Sequence, residues 1–166
     1  MANLRYSSSI EEIDLLEPLW CALQVHHAEI NPTLAGGAPK REVPESWRRR
    51  RPKYERWLKD PDTFFVIAEE DGRPVGYAFV TVGPGYASWA TGDRLADLQT
   101  LSVLPEFRGG GLGSALLEAV WNRLDQLGVD DMAITTATTN VGARRFYERH
   151  GFAADFVLYY GKRTSA

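Results

Sequence analysis

Six residues, Arg108-Gly109-Gly110-Gly111-Leu112-Gly113, separate a strand-like run from a strongly periodic helix. Leu101-Ser102-Val103-Leu104-Pro105 closes the run before them. Behind them Leu112, Leu116, Leu117, Val120, Leu124 and Leu127 share one helical stripe, and Gly128 stops it. A helix start carries unpaired N–H groups and the positive end of the helix dipole, so it favours an anion. Glycines let the backbone come close and take positive φ, so that successive N–H groups line one concavity. Arg108 adds positive charge beside it. The pattern points to a phosphate or pyrophosphate.

Three other readings compete for the same glycines. A P-loop needs Gly-Lys-Ser/Thr, but Ser114-Ala115 follows Gly113 and no lysine is present. A dinucleotide fingerprint needs a third glycine where Ser114 stands, and Pro105-Glu106-Phe107-Arg108 spoils its tight strand-to-helix turn. A plain glycine-rich turn remains open on these residues alone.

The rest of the chain supplies the frame. Residues 3 to 8 read as a first strand. Ser9 and Glu12 form a capping-box pattern ahead of a helix carrying Ile10, Ile13, Leu16, Leu19, Trp20, Leu23 and Ile30. Residues 31 to 44, with Gly36-Gly37, Pro39 and Pro44, read as a loop. A second helix is expected over about 45 to 59. Phe64 to Ile67 and Val75 to Val82 form a hairpin around Asp71-Gly72. Arg94 to Val103 alternates as a fourth strand, and Met132 to Ala137 is a fifth. Asn140 opens a short helix ending near His150-Gly151, and Phe156 to Tyr160 is expected as a last strand. The order β-α-α-β-β-β-α-β-α-β gives a mixed α/β fold, expected as one domain over residues 1–166.

Composition narrows the classes. The chain has 166 residues, 44% hydrophobic and 25% charged, as in a soluble globular protein. No apolar run approaches the ~18 residues that span a bilayer, and no secretory leader is visible. The single cysteine, Cys21, forms no internal disulfide and suits a cytoplasmic location. A net charge of −3 argues against a nucleic-acid partner. The charge is uneven. Lys40 to Lys59 carries nine Lys/Arg against three Glu, including the run Arg48 to Arg51. This is a solvated helix face or a patch meeting phosphate or an acidic partner.

Two blocks of sequence resemble the GCN5-related N-acetyltransferase (GNAT) family. The first is Arg108-Gly109-Gly110-Gly111-Leu112-Gly113 with its flanks, Leu101 to Phe107 before and Leu116-Leu117 after. The second is Asn140-Val141-Gly142-Ala143, then Phe146-Tyr147, then Gly151-Phe152. They stand in the family's order and at its usual separation, and the clear match covers about residues 95 to 152. The resemblance implies a GNAT-like domain: a central, mostly antiparallel mixed sheet flanked by about four helices, with acceptor-side helices at about 9 to 59.

The resemblance also implies roles. Acetyl-CoA is the acetyl donor, and no metal is needed. The backbone of Leu101, Ser102 and Val103 holds the pantetheine arm. The loop amides from Gly109 through Gly110, Gly111, Leu112 and Gly113 to Ser114 hold the pyrophosphate, beside Arg108. Asn140 contacts the pantetheine or its neighbouring backbone, a role compatible with a helix N-cap. Tyr147 matches the general acid that meets the departing thiolate. Asp97 takes the place of a Glu that serves as base, and being one methylene shorter it favours a water relay. An oxyanion donor is expected at a bulge in the fourth strand, near Leu101. Thr135, at the fifth-strand position where some members carry the base, cannot act as one.

The acceptor is not written in these motifs. His26, His27, Trp47, Tyr54, Trp57, Tyr86, Trp89 and Tyr159 border the expected acceptor region. The aromatics read as a clasp for an apolar or cationic amine or equally as core, and the two histidines read as helix surface. A small-molecule amine is the first expectation, a protein N-terminus or lysine the second, and a non-catalytic CoA-binding sensor a third of another class. No membrane partner is expected, and a homodimer is left open.

Overall fold

The computed structural model describes residues 2–34 and 37–163. Five strands form one sheet in the order β1-β2-β3-β4-β5: Asn3–Ser7, Phe64–Glu70, Arg73–Pro84, Arg94–Val103 and Asp131–Ile134. The first three pairings are antiparallel and β4 pairs β5 in parallel. The helices are α1 (Glu17–Ile30), α2 (Val43–Trp57), α3 (Leu112–Leu127) and α4 (Val141–Arg149). The expected mixed sheet with four helices is the observed one.

Both faces of the sheet are covered, which explains the continuous apolar run in β2. Phe64, Val66 and Ala68 pack with Leu116, Leu117, Val120 and Leu124 of α3. Phe65 and Ile67 pack on the other face with Leu19 of α1 and Trp47 and Tyr54 of α2. The β2–β3 turn forms as its sequence predicts, with Asp71 at φ 52° and Gly72 at φ 75°, the left-handed pair a two-residue hairpin requires.

A buried polar chain locks α2 to the sheet. The Tyr54 hydroxyl lies 2.9 Å from the Tyr77 hydroxyl and 2.9 Å from Thr100 Oγ1. Tyr54 and Tyr77 are fully buried. Tyr54→Phe removes both of these bonds from a site closed to water, and should destabilise the fold by about 1–3 kcal/mol in urea unfolding.

Several sequence expectations change. The first helix is split: Ile10–Leu16 is a 3₁₀ segment and α1 begins only at Glu17. Pro18 has no N–H to give a preceding α-turn, so it sits at the start of a helix rather than inside one. The Ser9–Glu12 box half-forms. Ser9 Oγ accepts the Glu11 N–H at 3.2 Å, but Glu12 bonds to Ser7 and Arg5 instead of closing back on Ser9. The second helix starts earlier than expected, at Val43, with Pro44 in its first turn.

The expected last strand does not form. Residues 152–163 have no regular structure, and Phe156, Val157, Leu158 and Tyr159 are 64–89% exposed. Propensity alone makes no strand; it needs a neighbouring ladder and a face to bury. β5 is also shorter than expected. It ends at Ile134, so Thr135 to Ala137 lie outside the sheet. In the 31–44 loop, Thr33 and Pro39 pair in an isolated bridge, while Gly36 lies outside the described residues.

Candidate active site

The site begins with a fault in β4. Phe79 pairs with Thr100, but the next residue, Val80, pairs with Leu98, so Gln99 is left over as a bulge. The bulge reverses the alternation of side chains. Before it, Ala96 and Leu98 belong to the α3-side core. Past it, Leu101 and Val103 pack on that side instead. Thr100 and Ser102 now face the other helices: Thr100 meets Tyr54, and Ser102 Oγ donates to Leu19 O of α1 at 3.2 Å.

A gap opens at the same place. β4 and β5 pair from Leu95 with Asp131 to Leu98 with Ile134, and no further. From Gln99 to Val103 the edge of β4 toward β5 has no strand beside it. The Leu104 N–H bonds Val75 O at 2.9 Å, so residue 104 turns toward β3. By two-residue alternation Ser102 also turns toward β3, and the backbone groups of Leu101 and Val103 point into the gap. Of these, the Val103 carbonyl accepts Arg108 Nε–H at 2.9 Å. The oxyanion donor expected at Leu101 therefore lies two residues beyond the bulge itself. The alternating sequence of β4 carries no sign of that offset.

The gap runs down to the glycine loop. Gly109 and Gly111 take φ 81° and 84°, as the sequence implied, and Gly111 is the N-cap of α3. No side chain caps this helix. A Cβ at Gly109, Gly110 or Gly111 would meet open space, so the loop leaves a concavity beside free helix-start N–H groups. A phosphate fits that donor set. Gly113 packs inward: a Cβ there would lie 3.4 Å from Phe146 of α4. The Ser114 hydroxyl is 3.0 Å from His150 Nε2, whose Nδ1 is 2.8 Å from Phe146 O. His150 thus ties the start of α3 to the end of α4, a link the sequence gave no spacing signal for.

The helix α4 carries the second motif. Asn140 is buried and caps it, accepting the Ala143 N–H at 3.1 Å. One face-repeat later, Tyr147 packs on the same core as Leu101, Val103 and Ile134, the residues flanking the gap. Burial pushes its phenol up to about 12, so it stays protonated at neutral pH. Asp97 stands on the opposite side of β4, upstream of the bulge. Partial desolvation raises its carboxyl pKa, and no hydrogen bond or ion pair to it is found among the described residues.

The remaining candidates separate. Trp47 and Tyr54 are core. Tyr86 and Trp89 form an exposed cluster with Phe156, at centroid distances of 5.6 and 5.7 Å from it, and Tyr159 is exposed. His27 is held neutral: burial foremost, then Lys40, His26 and Arg108, push it down to about 4. Its base strength is therefore poor. The arginine run also divides. Arg49 pairs with Glu45 at 2.9 Å, Arg51 with Asp14 at 2.6 Å and with Glu55, and Arg48 is exposed. Arg50 alone reaches the sheet, and sequence reasoning missed it.

The model of the acetyltransferase (GNAT) family matches residues 23–152. The chain belongs to the GNAT acetyltransferase family. Among curated GNAT-like relatives, an uncharacterised N-acetyltransferase of Methanocaldococcus jannaschii is 35% identical over 107 residues, 63% of this chain and 46% of that protein. A mycothiol acetyltransferase of Saccharomonospora viridis is 31% identical over 103 residues, 62% of this chain and 33% of that protein. The match thus spans less than half the length of these relatives. Among solved structures, a GCN5-related N-acetyltransferase from Ralstonia eutropha JMP134 superposes with a TM-score of 0.74 at 18% identity, over 98% of this chain and 99% of that one. An aminoglycoside N-acetyltransferase in complex with CoA superposes with a TM-score of 0.68 at 20% identity, over 98% of this chain and 100% of that one. These likenesses establish the GNAT fold. No described helix is long and apolar enough to cross a membrane, and no metal-binding cluster of His, Cys, Asp or Glu occurs among the described residues.

Proposed function

We propose that the chain transfers acetyl from acetyl-CoA to the primary amine of a small molecule. The carrying observation is the alignment of an uncapped glycine helix start with the open edge of β4. Together they give a phosphate cradle and, leading from it, a slot of β4 backbone with no strand beside it. Loop amides from Gly109 to Ser114 hold the pyrophosphate. Leu101 and Val103 bond the amide-bearing arm as a neighbouring strand would, with Ser102 between them locked on α1 and Asn140 fixing the wall opposite. A small acceptor accords with the names of the relatives, which include a mycothiol and an aminoglycoside acetyltransferase. The chain acts as a single catalytic domain in the cytoplasm.

The residues divide the work as follows. An amine nitrogen must be neutral to attack, and free alkylammonium has a pKa of roughly 10. Asp97 accepts that proton through water. As the C–N bond forms, the thioester oxygen gains negative charge, and the Leu101 N–H meets it. As the C–S bond breaks, the Tyr147 hydroxyl donates a hydrogen bond to the sulfur. Asp97→Asn should lower kcat/KM about tenfold. It should also move the rising limb of the profile to higher pH, because bulk solution must then supply the free amine. An unchanged profile would remove Asp97 from the relay.

The test of the whole reading is calorimetry with acetyl-CoA, CoA and NAD, followed by thiol release over a panel of small amines and peptides. Binding of acetyl-CoA with release on a small amine is the expected result. Release on peptides alone would reassign the acceptor. Binding without release on any amine would make the chain a sensor, and no binding of either CoA form would sink the reading.

A further inference from the structure

Arg50 is the member of the arginine run that turns inward. Its guanidinium carbon lies 4.7 Å from the ring centroids of Trp20 and Tyr54 and 4.9 Å from that of Trp57. Its Nη2 donates to the Gln99 carbonyl at 3.1 Å and to Thr100 Oγ1 at 2.9 Å. Its Nε is buried without a hydrogen-bond partner. No carboxylate forms an ion pair with it among the described residues.

Such an arrangement is costly for the fold. A half-buried cation without an opposite charge keeps part of its desolvation penalty. Three aromatic faces return part of it, but the orphaned Nε adds to the cost. An apolar side chain of the same length would fill the cage more cheaply. What Arg50 gains for that cost is a fork on the bulge. Its two bonds hold Gln99 C=O and the Thr100 side chain, which Tyr54 also grips. The next N–H along β4 is that of Leu101, directed into the gap.

We propose that Arg50 is a positioning residue for acetyl transfer. It fixes the Gln99 bulge so that the Leu101 N–H stays aimed at the thioester oxygen, and it places a fixed positive charge behind that donor. This rests on the acetyl-transfer reading above. Preorganised donors and charges act on the barrier without reorganising during the reaction, so the effect belongs in kcat rather than in donor affinity.

The experiment compares Arg50→Met, Arg50→Lys and Arg50→Ala in the full chain. Arg50→Met should keep or raise the Tm, keep the Kd for acetyl-CoA within about twofold, and lose about tenfold in kcat. Arg50→Lys keeps a cation but loses the planar guanidinium that the three rings hold and that aims Nη2 at the bulge, so it should fold and lose several-fold in kcat. Millimolar guanidinium should restore part of the kcat of Arg50→Ala and leave the wild type unchanged. Amide exchange at Gln99 and Thr100 should quicken in Arg50→Met while the rest of β4 bonded to β3 keeps its protection. Wild-type kcat in folded Arg50→Met or Arg50→Lys, or exchange quickened evenly across the sheet, overturns the proposal. If the wild type acetylates no amine, the parent reading fails, and the exchange pattern still judges the clamp.

Discussion

Tyr147→Phe is expected to lower kcat about a hundredfold while leaving the Kd for acetyl-CoA within about twofold. The substitution removes one hydroxyl and keeps the ring. That ring packs against Phe146 and Phe152 at centroid distances of 5.3 and 5.9 Å. The phenol has no hydrogen-bond partner among the described residues, so the change strands no buried donor or acceptor. The fold should therefore tolerate it, and the Tm should move little. What is lost is a donor for the sulfur as it takes up charge. A stopped-flow or steady-state thiol assay reads the rate, and calorimetry reads the affinity; an unchanged rate would remove Tyr147 from the mechanism.

The acidity of the phenol decides what kind of donor it is. Its pKa stands at about 12, whereas an alkyl thiol titrates near roughly 8.5. Full proton transfer from Tyr147 to the thiolate would thus be uphill by about 5 kcal/mol. A hydrogen bond that strengthens as the C–S bond breaks has no such cost. The proton that finally reaches bulk solvent or sulfur comes from the attacking amine, which must lose it anyway. Because the phenol stays neutral, its ionisation should give kcat no alkaline limb until the pH approaches 12. Burial disfavours phenolate in the folded state, so this group's contribution to stability is intact below the ordinary tyrosine value and is lost only as pH rises past it.

The parts of this molecule that were legible in its sequence are those decided locally. The left-handed glycines of the loop, the Asp71-Gly72 turn and the Asn140 cap each follow from what a few neighbouring residues can do. Gln99 is the counter-example. Ala96, Leu98, Thr100 and Ser102 are all buried, and in sequence they read as one face of a regular strand. Only β3, by pairing around Gln99, sends the last two to the opposite face. Phe156 to Tyr160 failed for a related reason: strand propensity was present, and the partner was not. Arg50 hid inside a charge run, although its spacing held a clue. It stands three residues after Trp47, four before Tyr54 and seven before Trp57, on the helix face that carries the aromatics. A lone arginine on an aromatic stripe is the signal that would have singled it out.

Gly111→Val should raise the Kd for acetyl-CoA about a hundredfold, which corresponds to about 2.8 kcal/mol. Gly111 sits at φ 84°. A β-branched residue held there costs on the order of 1–3 kcal/mol in strain, and the loop relieves it by rotating the N–H groups out of line. The added side chain starts in open space, since a Cβ at this position meets no atom within 4 Å. Its bulk therefore intrudes on the concavity where the phosphates would rest, and the two effects act in the same direction. Gly110 has no positive φ and the same open surroundings, so Gly110→Ala should weaken binding far less. The loss should also depend on the ligand. S-acetylpantetheine lacks the pyrophosphate but keeps the thioester and the arm that lies along Leu101 and Val103. It should bind Gly111→Val as well as it binds the wild type. An equal loss on both ligands would mean the substitution had disturbed the β4 gap rather than the loop. Normal acetyl-CoA affinity would mean the glycines are only a turn.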